Sequence, residues 1–360
     1  MEREASEQSE TVNSSGCHSS SGNLTSSNHI EVQIPRSTSF LSVTHIGIPS
    51  RADDVTAGLV DTFLNLTRID KDIFLACHLM KGRLSLPAVY GGQVIGHALV
   101  AASATVDKNF KPHSLHSYFI KTGTTNKPIL YLVDRVSDRR SFCTRSIKAI
   151  QDGQNIFTCQ ISFHRDEPDS IVHQKEMPIV NPPDDLPDIW SLMNSLFLKD
   201  GINPAVKAML KAKMAEISPA FERLFEFRPA FPEKCLTGDA ENGGPRQFMW
   251  LRAKGDVGND PCLHQCIAAY ISDCSMLETA IKPHASKGFI PSMAFSLDHC
   301  IWMHDQNFRV DEWMLYENIS PIARGSRSYI EGRLWTRDGR LILSTAQEGL
   351  IRSEKSSGRN

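Results

Sequence analysis

The sequence predicts an α+β fold made of two related halves, and two observations carry that expectation. A helix-compatible run followed by a series of β-prone runs occurs twice, in the same order. In both copies an Asp-Gly pair, Asp152-Gly153 or Asp338-Gly339, separates the last two β-prone runs. Asp-Gly at such a place is a strong hairpin signal, because both central positions of a type I′ turn need positive φ. A single hairpin says little about the rest of a chain; the whole order repeated is the mark of duplication. One helix followed by antiparallel strands places the helix over one face of a sheet.

Taken in order, the first 42 residues are dominated by Ser, Thr, Asn and Glu, with runs such as Ser19-Ser20-Ser21. So little apolar surface cannot offset the entropy of ordering, so residues 1–50 are expected to be a disordered tail. The first unit spans 51–165. In it Tyr90-Gly91-Gly92-Gln93 opens a helix over 94–102, and strands follow at 113–119, 129–133, 141–150 and 155–163. Residues 166–245 read as a connection, with Pro178, Pro182, Pro183 and Pro187 first and a helix over 205–216 next. The second unit spans 246–353. There Tyr270-Ile271-Ser272-Asp273 opens a helix over 274–280, before strands at 295–302, 313–317, 326–335 and 341–349. Residues 354–360 read as a second tail.

The 360 residues suffice for two domains or one doubled domain, and 41% are hydrophobic, enough for a core. A formal net charge of −2 argues against a nucleic-acid surface. No stretch offers the roughly 18 consecutive apolar residues that cross a bilayer, and the opening Met-Glu-Arg-Glu starts no apolar secretory signal. Nine scattered cysteines, an odd number, suit a reducing compartment where cysteine packs as a small apolar residue. Cys262, His264 and Cys266 have no second ligand pair at zinc-site spacing, so packing is expected there and no metal.

Four motifs carry a resemblance: Val89-Tyr-Gly-Gly-Gln-Val-Ile-Gly-His-Ala-Leu99, His113-Ser-Leu-His-Ser-Tyr-Phe119, Ser296-Leu-Asp-His299 and Ala346-Gln-Glu-Gly349. Together they resemble the acyl-CoA thioesterase II (TesB-like) family, nearest its eukaryotic peroxisomal branch, over roughly residues 55 to 353. The resemblance implies a double hotdog: two fused units, each a long helix wrapped by a curved antiparallel sheet, joined edge to edge. It implies hydrolysis of acyl-CoA to a fatty acid and coenzyme A, with the catalytic trio in the second unit. Matched by motif, that trio falls on Asp273, Ser296 and Gln347, Ser296 standing where bacterial members have Thr.

These residue types suit direct attack by water on a thioester carbonyl. Asp273, ionised at neutral pH, would take up or polarise the water's proton, while Ser296 and Gln347 would hold the water in place. Amides at the helix start by Gly91 and Gly92 would serve the developing oxyanion and bind substrate. On spacing alone each residue has a plainer reading. Asp273 could cap a helix, Ser296 could be a satisfied polar residue in a strand, and Gln347 could simply be solvated. His113, His116, His299 and His304 lie in or beside apolar strands and read as structural.

Matching Tyr90 to Tyr270 puts Gln93 in the place of Asp273 and Ser114 in that of Ser296, with Cys159-Gln160-Ile161 near Gln347 but out of step. The first unit is therefore expected to be non-catalytic and to supply structure and part of the substrate groove. Two other readings stand beside hydrolysis. One is a hotdog hydratase or dehydratase, whose Asp-x-Asn-Pro-Leu-His pattern is not found; the other is a non-catalytic acyl-CoA binder. No cofactor is expected, since coenzyme A belongs to substrate and product. The expected partner is the acyl-CoA substrate, with no nucleic acid and no membrane span, and room for a homo-oligomer. The resemblance implies the peroxisomal matrix, whereas the final Gly358-Arg359-Asn360 is no Ser-Lys-Leu-like tripeptide, which makes the cytosol the alternative.

Overall fold

A computed structural model describes residue 58 and residues 64–234, 245–285 and 287–353. The expected tails, 1–50 and 354–360, lie outside the described residues. The first half runs β1 (Thr67–Asp70), β2 (Ile73–Ala76), α1 (Gly91–Ser103), β3 (Phe110–Phe119), β4 (Ile129–Asp138), β5 (Phe142–Gln151) and β6 (Gln154–Arg165). Next come α2 (Ile189–Leu198), α3 (Pro204–Glu216), α4 (Pro219–Leu224), β7 (Phe225–Pro229) and β8 (Arg246–Ala253). The chain continues with α5 (Pro261–Ile271), α6 (Met276–Ala285), β9 (Met293–Ser296) and β10 (Asp298–Met303). It closes with β11 (Met314–Arg324), β12 (Arg327–Thr336) and β13 (Leu341–Arg352).

All thirteen strands described join one sheet, ordered β1-β2-β4-β5-β6-β3-β10-β13-β12-β11-β8-β7, with β9 also on β13. From either edge the connections read alike, so β7 and β8 stand where β1 and β2 stand. The halves meet at the antiparallel pair β3–β10, where Leu115 faces Ile301 and Ser117 faces His299. This is the double hotdog arrangement, two helix-and-sheet units joined at their sheet edges. Its outermost strands escaped the sequence reading. β1 and β2 have four residues each, and β7 lies inside the stretch 166–245 read as a connection, where prolines hid its alternation of buried Phe225, Phe227 and Pro229.

Helix α1 buries every residue from Gly92 to Ala102. A helix apolar all round must be covered all round; strands β2 to β6 lie on one side of it and α5 on another. Its neighbour approaches closely, since a Cβ on Gly92 would sit 2.2 Å from the carbonyl oxygen of Tyr270. In the second half the face of β8, β9, β11 and β12 is covered by α6, and α5 starts with Pro261 after an Asp260 side chain that accepts from the amide of Cys262 at 3.0 Å. No described helix is long and apolar enough to cross a membrane.

The two Asp-Gly turns differ. Asp152 and Gly153 have φ of 52° and 68°, as a type I′ turn requires. At the second turn the left-handed residue is Gly339, at 89°, and Thr336 pairs across a three-residue loop by donating its amide to Arg340 at 2.9 Å. A two-residue turn with both residues left-handed does occur in the second half, at Gly325-Ser326 (61° and 60°) between β11 and β12.

A matching irregularity aligns the halves residue by residue. Between the pairs Pro112↔Phe163 and Ser114↔Ser162, strand β3 holds one extra residue, His113. Between Ser296↔Gly349 and Cys300↔Ala346, the β9–β10 side likewise holds one more residue than β13. Superposing these bulges sets Pro112 against Ser296 and Ile161 against Gln347. The sequence match of Ser114 with Ser296 is thereby corrected, because it ignored the position of the bulge.

Candidate active site

Strand β13 organises the site. Ser296 ends β9 and pairs with Gly349, while Gln347 lies two residues earlier in β13, its side chain buried beside that of Ser296. The Gln347 amide donates to the Ser296 hydroxyl at 2.5 Å, and that hydroxyl points to Asp273 Oδ1 at 3.5 Å. Gln347 is thus buried in mid-strand, not solvated near a strand end.

Asp273 occupies the break between α5 and α6. Its partner is the start of a helix from the other half: the Gly92 amide of α1 hydrogen-bonds its carboxylate. Helix α1 has Tyr90 at its N-cap, no side-chain cap and no acidic residue in its first turn, so its first amides and positive dipole end are open to this contact. A Cβ on Gly91 would stand 2.8 Å from Asp273 Oδ2; glycine there keeps the carboxylate unobstructed. The motif-matched residues therefore converge, with Gly91 and Gly92 beside them. The Gly92 amide goes to the carboxylate.

Burial pushes the Asp273 carboxyl up to about 7, against the pull of the Gly92 amide and the Gln347 and Ser296 side chains. The surface it retains faces a cavity of about 770 Å³, on whose wall it stands with Ser296. Apolar groups such as Val94, Phe119, Phe157, Trp190, Phe221 and Met249 form much of that wall. Arg83 and Lys121 also border it. Gln347 lies behind Ser296 and is not part of the wall.

The histidines separate into two groups. His113 bonds Ser162 at 2.8 Å, His304 bonds Ser344 at 2.9 Å and the ring of His116 meets Trp302 edge-on; these contacts are structural. His299 is fully buried, with Nδ1 2.7 Å from Gln347 Oε1 and Nε2 2.9 Å from Ser272 Oγ. Burial holds its pKa down at about 4, so the ring is neutral. Its contact with Gln347 joins it to the site.

Gln93 is not in the site. Its buried amide accepts from the Met80 amide at 2.7 Å and donates to the His78 carbonyl at 3.0 Å, bracing the chain before α1. Cys262 and Cys266 are free thiols that share a side-chain hydrogen bond, while His264 turns to Gly258 and Val310. Among the described residues no three His, Cys, Asp or Glu side chains are grouped to hold a metal.

Comparison with known proteins now gives this geometry its family. The family model for the acyl-CoA thioesterase N-terminal domain matches residues 83–164, and the acyl-CoA thioesterase model matches residues 215–350. The chain is 41% identical to human acyl-coenzyme A thioesterase 8, over 83% of this chain and 90% of that protein. The chain belongs to the acyl-CoA thioesterase family. This thioesterase is also 25% identical to the yeast (Saccharomyces cerevisiae) peroxisomal acyl-coenzyme A thioester hydrolase 1, over 81% of its own length and 94% of that protein. The solved structure of acyl-CoA thioesterase II TesB2 from Mycobacterium marinum matches it with a TM-score of 0.65 at 30% identity, covering 83% of this chain and 99% of that one. The thioesterase is accordingly a thioester hydrolase acting on acyl-CoA.

Proposed function

We propose that this thioesterase works by direct attack of water, with Asp273 as general base and the second half carrying the chemistry. The observation behind the proposal is a carboxylate raised to about 7 on the wall of a largely apolar cavity, beside a hydroxyl oriented by a buried amide. A base near the working pH combines a useful ionised fraction with real proton affinity. Water adds to the thioester carbonyl as its proton passes to Asp273. The tetrahedral intermediate then collapses, the C–S bond breaks, and the coenzyme A thiolate takes a proton as the fatty acid is released.

Ser296 presents its hydroxyl to the attacking water and to Asp273, and Gln347 holds that hydroxyl from behind. The oxyanion falls to the Gly91 amide, because the Gly92 amide is committed to Asp273. The acyl chain lies along the apolar wall, and Arg83 and Lys121 offer charge to the phosphates of coenzyme A. Thiol release from palmitoyl-CoA tests the proposal: Asp273→Asn should lower kcat by about 10²-fold or more. Turnover close to wild type in that variant would remove Asp273 from the chemistry. A peroxisomal location is the matching proposal for compartment, supported by the name of the yeast relative; recovery of the native chain solely in cytosolic fractions would overturn it.

A further inference from the structure

We infer that His299 is a positioning residue for hydrolysis, which fixes the side-chain amide of Gln347 in the one orientation that serves Ser296 and Asp273. The inference rests on the proposed role of Gln347. A primary amide has two nearly isosteric orientations, with oxygen and nitrogen exchanged. One places the NH₂ of Gln347 towards Ser296, where its nitrogen lies 2.5 Å from the hydroxyl oxygen and also hydrogen-bonds Asp273. The reverse would turn a carbonyl oxygen on the carboxylate and take the Ser296 proton away from Asp273.

The ring decides between them. Gln347 Oε1 can only accept, so the contact at 2.7 Å requires a proton on His299 Nδ1. Nε2 is then an acceptor 2.9 Å from the Ser272 hydroxyl, whose single proton can turn to it or to the Ala269 carbonyl, also at 2.9 Å. The backbone that carries the ring is itself held. The Ser117 hydroxyl of β3 donates to the His299 carbonyl at 2.7 Å, and His299 pairs with Ser117 across the junction of the halves. Ser272 directly precedes Asp273, and its carbonyl accepts from the Tyr316 hydroxyl at 2.6 Å. A continuous run of polar contacts, Ser272–His299–Gln347–Ser296–Asp273, thus starts and ends on adjacent residues. In such a closed run each proton position constrains the next.

The test is a double-mutant cycle on kcat with His299→Leu, His299→Asn, Gln347→Ala and both combinations with Gln347→Ala. His299→Leu should lower kcat by roughly 10- to 100-fold with KM changed by less than about threefold, since the ring lies behind the substrate wall. His299→Asn, which keeps an N–H near the position of Nδ1, should recover part of that loss. The acid limb of the pH profile should move to higher pH in His299→Leu, because the freed amide no longer stabilises the Asp273 anion. In the Gln347→Ala background either change at His299 should alter kcat by less than about twofold, since the two residues act as one unit. Equal losses in both backgrounds, or equal losses for Leu and Asn with an unmoved acid limb, would overturn the inference. A Gln347→Ala enzyme as active as wild type would instead fell the reading on which it rests. If His299→Leu does not fold, the cycle is run with Ser272→Ala, which removes the hydroxyl facing Nε2 and should reduce kcat in the wild-type background alone.

Discussion

The two halves share a bulge, a junction strand and a hairpin, yet at the same register one carries a hydrogen-bonding pair and the other does not. Ser296 and Gln347 correspond to Pro112 and Ile161. One strand further out the polarity is inverted: Gln347 faces Ile330, whereas Ile161 faces Arg145. Arg145 is almost fully buried and commits its donors to Thr105, Ser137, Thr144 and Asp138. In the first half, then, the buried polar group is satisfied internally and stabilises. In the second it is directed through Ser296 towards a cavity. The same region of the scaffold holds a polar group either closed on itself or left open to a cavity.

The first half still participates. Its helix α1 supplies the Gly92 amide to Asp273 and, through Gly91, the open space beside that carboxylate. Its strand β3 supplies Ser117, which holds the His299 backbone. The site therefore belongs to the junction, and neither half is complete without the other.

The largest expected effect on this contrast comes at Asp273. Beyond lowering kcat, Asp273→Asn should change how stability varies with pH. The folded pKa, about 7, lies above the ordinary value of 3.8, so this group's contribution is present at low pH and is lost as pH rises through about 7. The melting temperature of Asp273→Asn relative to wild type should thus rise between about pH 4 and about pH 7, the span between the two values, and level off above it. A constant difference would show that Asp273 is not held at a raised pKa.

Ser296→Ala should cost about tenfold or more in kcat with only a small change in melting temperature. Ser296→Thr keeps the hydroxyl and should retain much of the activity, within the cost of fitting one methyl, about 1 to 3 kcal/mol in a tight site. An active Ala variant beside an inactive Thr variant would make Ser296 a packing residue. Smallest in catalytic terms is the change across the junction. Arg145→Met should lower stability by roughly 1 to 3 kcal/mol as buried acceptors lose their donor, while kcat of the folded fraction stays within about twofold. A catalytic defect at full stability would mean that the first half does more than support.

Much of this was legible in the sequence. The repeated order of helix and strands gave β3 to β6 and β10 to β13, because alternation and Asp-Gly turns are local properties. The edge strands were not legible: β1 and β2 are too short to show periodicity, and β7 takes its strand character from pairing with β8. At the candidate site, the motifs pointed to Asp273, Ser296 and Gln347, which the fold brings together, while composition and spacing alone favoured capping, packing and solvation. The Gly92–Asp273 and His299–Gln347 contacts join residues far apart in the chain, so no local pattern encodes them. One clue was present all the same. A helix opening on Gly91-Gly92 with no capping side chain needs an acceptor from elsewhere in the fold.

The central claim, that Asp273 acts as the base while held at a raised pKa in the second half, is tested most directly by the pH dependence of kcat for thiol release. The account predicts a single acid limb with an apparent pKa of about 7, so that turnover one pH unit lower is roughly a tenth of the plateau, and predicts that this limb disappears from the residual activity of Asp273→Asn. A profile that is flat through neutral pH in the wild type, or the same limb persisting in Asp273→Asn, would contradict it.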